Sequence, residues 1–328
     1  MSNSWNGLSL QTEFSTMLGD VSTSFKAKAL QWMNDVQLDI ISRHDWKFNV
    51  FKGKKNLAAS TEIHSLDLTV PTLPTATVTV GGSLTDGSTY SALITYVESV
   101  SGVESLAGAA SATVTGTAAN KTVSLTAIPV SSDPLVTSKK IYLSKDGASY
   151  YYHGSIVAAT LIYTIGTETT STVEAPSISA IRKLDGAPFL EGSKSGQLVG
   201  ESLDQLRMMF SGTWSSGTPE YFADLGGNRI LVYPTPSAAM DISFYYYKNP
   251  KEILATATSF PEIPAQFKLL LKAGVMAQGW EYRERDGWQS KKSEYENMLG
   301  EYYRKLGKSS NSRERIRDVT GGCDGFLL

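Results

Sequence analysis

Two abrupt changes of composition, near residues 68 and 178, constrain this chain more than any motif it carries. Between them there is no Trp and no Met, although the whole chain has 6 and 8. Thr, Ser, Val, Ala and Gly dominate the stretch. Its Lys121, Lys139, Lys140 and Lys145 face Asp86, Glu98, Glu104, Asp133, Asp146, Glu168 and Glu174, a net −3 that leaves +1 for the flanks of a chain whose total is −2. A segment that differs this sharply from both neighbours is expected to be an inserted domain, residues 68–178, with its ends close together.

The insert reads as all-β. Thr75-Ala-Thr-Val-Thr-Val80 is rich in β-formers and closes on Gly81-Gly82. In residues 90–97, Tyr90, Ala92, Ile94 and Tyr96 alternate onto one face. Val123 and Leu125 do the same in 122–126, and 139–144 runs into the turn signal Lys145-Asp-Gly147. Residues 150–154 and 160–165 supply further strands. Short strands with regular turns predict a β-sandwich. The pieces 90–97, 140–147 and 150–154 resemble the fibronectin-III and immunoglobulin-like modules of phage structural proteins. With no Cys pair and no central Trp, the antibody type is excluded.

The flanks read as helical. Ser22 or Ser24 is suited to cap a helix running to about Arg43, with Phe25, Ala29, Met33, Val36 and Ile40 as its apolar stripe. A shorter helix precedes it, with Leu10, Phe14, Met17 and Leu18 on one face and Gly19 as its stop. A short helix is expected over 201–210. Arg229–Tyr233 and 241–247 are expected to pair as a β-hairpin across Pro234 and Pro236. Pro264 sits at the first position of a helix carrying Phe267, Leu270, Leu271, Val275 and Ala277. Beyond a break at Asp286-Gly287, Tyr295, Met298, Leu299, Tyr302 and Leu306 form a second stripe. Phe267, Leu271 and Val275 are expected to pack against that stripe in a small bundle with the N-terminal helices. The expected fold is therefore α+β and multidomain. It comprises a discontinuous helical body with a β-hairpin (1–67 and 179–307), an inserted β-sandwich (68–178) and an extended C-terminal arm (308–328).

The arm lacks apolar periodicity, yet it ends in Phe326, Leu327 and Leu328. Extended backbone would place Arg313, Arg315 and Arg317 on one side. A hydrophobic tip and spaced guanidinium groups suit a segment that orders on a partner.

Catalytic and metal chemistry finds little footing. The 328 residues hold one Cys, Cys323, and three His, His44, His64 and His153, at no ligand spacing. No metal, cofactor or catalytic residue is expected. His44-Asp45 is better read as a histidine at a helix C-terminus bonding the last carbonyls than as a dyad. Glu281, Glu284 and Asp286 alternate with Arg283 and Arg285, as on an ion-paired solvated face. Gly226-Gly-Asn228 precedes a strand, which suits a turn and not a phosphate loop. The tyrosine triplets at 150–152 and 245–247 are expected to serve sheet packing. A net charge of −2 does not suit a strongly basic nucleic-acid binder. No apolar run reaches the ~20 residues of a membrane span. Residues 1–6 lack the regions of a signal peptide, as expected of a soluble protein made in the cytoplasm.

Four flanking motifs together carry a family resemblance. They are Ile40-Ile-Ser-Arg-His-Asp-Trp-Lys-Phe48, Gly217-Thr-Pro-Glu-Tyr-Phe222, Leu231-Val-Tyr-Pro-Thr-Pro236 with Ile242-Ser-Phe-Tyr-Tyr-Tyr-Lys-Asn-Pro250, and Phe260-Pro-Glu-Ile-Pro-Ala-Gln-Phe267. In order and spacing they resemble the head-to-tail adaptors of short-tailed phages, of SU10 type and more distantly of P22 type. The resemblance implies a structural virion protein of the neck or tail, without catalysis, that forms a ring of usually twelve copies on the portal protein. Its partners would be the portal, neighbouring subunits and tail nozzle or fibre proteins, with DNA only passing through the channel. The arm would be the portal-docking segment. The competing reading is an adhesion or carbohydrate-binding protein acting through the β-module, or another tail protein. A wall-degrading enzyme would need an acid–base pair, and no segment offers one.

Overall fold

The computed structural model describes residues 5–98, 102–171, 173–191, 196–210, 215–256 and 259–306. It is a mixed α/β protein. In chain order the elements are α1 (Gly7–Leu18), α2 (Thr23–Arg43), β1 (Val50–Leu57), β2 (Ile63–Ser65), β3 (Thr75–Thr79), β4 (Thr89–Glu98), β5 (Val114–Thr115), β6 (Thr122–Thr126), β7 (Val136–Lys145), β8 (Tyr151–Val157), β9 (Tyr163–Ile165), β10 (Ile181–Leu184), β11 (Phe189–Leu190), β12 (Val199–Gly200), α3 (Leu203–Met209), β13 (Ser216–Gly217), β14 (Tyr221–Gly226), β15 (Arg229–Tyr233), β16 (Thr235–Pro236), β17 (Met240–Lys248), α4 (Lys268–Tyr282) and α5 (Trp288–Leu306). Two compact units divide the chain, one of Met1–Asn49 with Pro250–Leu328 and one of Val50–Asn249.

The first unit gathers α1, α2, α4 and α5 around one apolar core. Asn6 caps α1 through Ser9 N, and the Gly19 backbone closes it in the left-handed region at φ +78°. Ser22 caps α2 through Phe25 N. Phe25, Ala29, Met33, Val36 and Ile40 are buried with Leu10, Phe14, Leu18, Phe267, Leu270, Leu271, Val275, Tyr295 and Leu299. Met298 and Tyr302 pack partly buried against this core. Two residues leave the stripes expected of them: Met17 and Leu306 are exposed, because the helical period carries each past the edge of the buried face. Pro264 also stands one step outside its expected place. It precedes a 3₁₀ turn, Ala265–Phe267, and α4 starts only at Lys268. α4 lies against Val36 so closely that a Cβ on Gly274 would stand 2.5 Å from Val36 Cγ1.

In the second unit, β3–β9 pair only with one another among the described residues. One sheet runs β3-β6-β9 and the other β5-β4-β7-β8. Ala76, Tyr90, Ala92, Ile94, Val123, Leu125, Ile141, Leu143 and Ile165 from both sheets enclose one core. Alternation along β4 and β6 produces that face, as the sequence predicted. Asp146 and Gly147, at φ +52° and +75°, turn β7 back towards β8.

In the same unit, β1, β2 and most of β10–β17 form two further main sheets. One runs β1-β17-β10, with β11 also on β17, and the other β12-β14-β15-β2. Leu57, Ile181, Ile242, Phe244 and Tyr246 from the first share a core with Leu66, Leu198, Phe222, Ile230 and Val232 from the second. The expected hairpin between Arg229–Tyr233 and 241–247 does not exist. β15 pairs with β14 and β2, whereas β17 pairs with β1, β10 and β11. Pro234 and Pro236 supply no backbone donors for a continued ladder, and Thr235–Pro236 instead pairs in parallel with β13. The hairpin that does form is β14–β15. Gly226, Gly227 and Asn228 turn it at φ +73°, +60° and +57°, a run of left-handed backbone that Gly and Asn tolerate best.

Candidate functional site

The residues that carry the family resemblance are staples of the two cores. In the first unit, Trp46 is fully buried and its Nε1–H donates to the Ile40 carbonyl at 2.6 Å. Its ring meets Phe267 edge-on at 5.1 Å, and Phe48 meets Phe267 at the same distance. The first motif therefore locks onto the fourth. In the second unit, Tyr221 and Phe222 stand opposite Tyr233 and Val232 in the β14–β15 ladder, and Gly217 stands opposite Pro236. The second motif pairs with the third. Four motifs spread over the chain thus close two separate structures, one in each unit.

The α-helical packing residues named from the sequence come together, with the exception of Leu306. Tyr295 also donates its hydroxyl to Asp39 Oδ2 at 2.7 Å, tying α5 to α2. Burial and that carboxylate push the phenol well above its ordinary range. Tyr302 donates to the Gln266 carbonyl at 3.1 Å. Arg43 bridges Asp39 and Glu296 at 2.7 and 2.6 Å, an exposed arrangement worth little by itself. Cys323 and the arm residues Arg313, Arg315, Arg317, Phe326, Leu327 and Leu328 lie outside the described residues.

The candidates for chemistry resolve into packing. His44 stacks on Tyr303 with ring centroids 3.9 Å apart, in place of the carbonyl contact expected of it. Burial lowers its pKa below the ordinary imidazole value. Arg283 and Arg285 do not pair with the acids between them. Arg283 reaches Asp20 at 3.2 Å and Arg285 donates to the Leu18 carbonyl at 3.2 Å, so the α4 end is fastened to the end of α1. Of the 245–247 triplet, Tyr246 and Tyr247 are buried and Tyr245 is exposed. Among the described residues no group of His, Cys, Asp or Glu is arranged to hold a metal ion, and no described helix is long and apolar enough to cross a membrane.

Sequence reasoning missed a polar cleft that lies between residues 55–70, 104–106, 132–133 and 179. It has a volume of about 540 Å³ and is lined by Lys55, His64, Asp67, Glu104, Asp133 and Ser179, among others. Asp67 and Ser179, which stand on either side of residues 68–178, are hydrogen-bonded to each other through the serine hydroxyl. Glu104 accepts from Lys140 Nζ and Tyr142 Oη, both at 2.6 Å, and from Thr95 Oγ1 at 2.5 Å. His64 Nε2 bonds the Thr61 carbonyl at 2.8 Å, and burial lowers its pKa. Asp67, Ser179, Glu104 and His64 are thus each hydrogen-bonded to other groups of the protein.

Both cores are thus closed by contacts between residues far apart in the chain. The sequence pattern of the SU10 adaptor protein family matches residues 6–320, and the chain belongs to that family. It is a structural phage adaptor and a virion component, and the family is not one of enzymes. None of the curated proteins compared with the chain matches it.

Proposed function

We propose that the chain is a head-to-tail adaptor that forms a ring, usually of twelve copies, docks on the portal protein and offers the platform on which the tail is built. The family match across residues 6–320 carries this reading. Exposed Leu8, Val21, Leu38, Leu269 and Tyr282, on or beside the helices of the first unit, offer apolar area for neighbouring copies. In this reading residues 68–178 form an immunoglobulin- or fibronectin-III-like module, and the remainder forms the body.

Residues 308–328 are proposed as the portal-docking arm, with Arg313, Arg315 and Arg317 meeting carboxylates and Phe326, Leu327 and Leu328 filling an apolar pocket. Ordering some twenty residues costs about 1–2 kcal/mol of backbone entropy each, so docking needs most of the arm. Co-sedimentation with purified portal rings tests this directly. The full chain is expected to pellet with portal, and a 1–307 truncation to melt as the full chain does but remain in the supernatant. Portal binding by the truncation at full strength would move the interface to the helices. Failure of the full chain to bind would remove the adaptor reading itself.

A further inference from the structure

A module inserted through two chain crossings would swing freely if those crossings were its sole attachment, since relative motion is the default for domains joined by small interfaces. Here two contacts span the crossing, one ionic and one apolar, and another ties its two chain segments together on the flanking side. Lys55 of β1 reaches out from the flanking sheet, and its Nζ lies 3.1 Å from Asp133 Oδ2, in the β6–β7 loop of the insert. The same ammonium donates to the Asp67 carbonyl at 3.1 Å. The two side chains are only 10% and 6% exposed. Asp133 is itself fixed, its Oδ1 accepting from Leu135 N at 3.0 Å and its backbone N–H donating to Ser131 Oγ at 3.0 Å.

The second contact is Asn228, the last residue of the β14–β15 turn. Its Nδ2 donates to Asp67 Oδ2 at 3.1 Å, to Ser179 Oγ at 3.1 Å and to the Ile181 carbonyl at 2.9 Å, while its own carbonyl accepts from Leu66 N at 2.7 Å. One side chain therefore holds both crossings at once. The third contact is apolar. Val103 of the insert packs against the flanking core of Leu57, Phe222 and Ile242, and also against the small cluster of Leu68, Tyr96 and Val136 at the insert's base.

We infer that the junction of residues 68–178 is an orientation lock, in which the buried Lys55–Asp133 pair and the packing of Val103 hold that segment at one fixed angle to the flanking sheets while Asn228 keeps its two chain crossings together. A buried ion pair contributes little net stability, but it is specific in geometry: rotating the segment away would separate Lys55 from Asp133 and bring the apolar contact of Val103 into water. Asn228 has the same consequence for Asp67 and Ser179, which lose a shared donor if the crossings separate. The module is thus a rigid outrigger and not a tethered ornament. The lock belongs to the folded chain alone, so it holds or fails independently of portal binding.

Pulsed dipolar spectroscopy on the full-length chain tests the lock. Nitroxide labels are placed at exposed Asp86→Cys in the insert and exposed Ala238→Cys in the flank, with Cys323→Ser removing the native thiol. A single narrow distance distribution is expected. Asp133→Asn is expected to widen it at least two-fold by leaving Lys55 unmatched. Because that variant can fold poorly, Lys55→Met with Asp133→Leu removes both charges while filling the space, and it too should widen the distribution two-fold while the melting temperature stays near that of the parent. A broad distribution in the parent, or one as narrow in the double variant as in the parent, would overturn the lock.

Discussion

Leu299 and Leu306 lie on the same expected stripe of α5, yet the first is 2% exposed and the second 40%. Truncating each to Ala separates burial from pattern. Leu299 sits in the core with Phe267, Leu271, Val275 and Tyr295. Removing its terminal carbons loses about 0.8 kcal/mol of transfer energy per buried carbon and leaves a cavity that this tightly packed core cannot fully collapse, for a total of about 3 kcal/mol. Leu306→Ala stays within about 0.5 kcal/mol, as for exposed sites generally. At roughly 2–8 °C per kcal/mol, Leu299→Ala lowers the melting temperature of the helical signal by on the order of 10 °C, and Leu306→Ala changes it by a few degrees at most. Far-UV circular dichroism of the full chain reads this, since α1, α2, α4 and α5 all belong to the first unit. Equal effects of the two substitutions would refute the packing described here. Leu299→Asp adds the burial of a carboxylate and is expected to prevent folding of that unit.

Gly274→Ala pits propensity against packing. Helix propensity favours Ala by about 1 kcal/mol, but the new Cβ would meet Val36 Cγ1 at 2.5 Å and Tyr295 Cε2 at 3.0 Å, so a net loss of about 1–2 kcal/mol is expected in urea unfolding, and a gain would show that α2 can yield. Glu168 supplies a pH dependence. The Thr85 hydroxyl, Lys145 ammonium and Tyr90 hydroxyl hold its carboxyl down to about 2 from an ordinary 4.5. Because the folded state binds this proton less readily than the unfolded one, the stabilisation is complete above pH 4.5 and is lost as pH falls from 4.5 towards 2. Glu168→Gln should flatten that part of the curve when insert unfolding is followed by tyrosine fluorescence, and an unchanged slope would remove Glu168 as the cause.

The sequence disclosed what is local and periodic. Ser22, Gly19 and the stripe of α2 could be read because caps and the helical period lie within a few residues of one another. The strands of the insert were equally plain, since Val123 and Leu125 or Ala92 and Ile94 alternate without interruption. β1 carries no such signal: Val50–Leu57 holds three Lys and a Gly, and only its antiparallel pairing along Met240–Tyr247 of β17 makes it a strand. The hairpin was misassigned because Arg229–Tyr233 and 241–247 are the two best β runs in that region, whereas the true partner of β15, Tyr221–Gly226, contains an Asp and ends in Gly. Tertiary pairing overrode propensity there. Lys55 and Asp133, which meet at the polar cleft, stand far apart in the chain, and so do Asp67 and Asn228. No spacing rule joins them, so the cleft was invisible before the fold. Gly226-Gly-Asn228 signals its turn locally, but nothing near it in the chain signals that the Asn228 amide holds both Asp67 and Ser179.

The account turns on whether this chain assembles on a portal. Native mass spectrometry of the full-length protein mixed with the portal ring of the same phage measures that assembly and its copy number together. A closed complex carrying a full ring of adaptor subunits, twelve on a twelve-fold portal, is the expected result. A portal ring that emerges without the chain, or with a few scattered copies at saturating concentration, would contradict it.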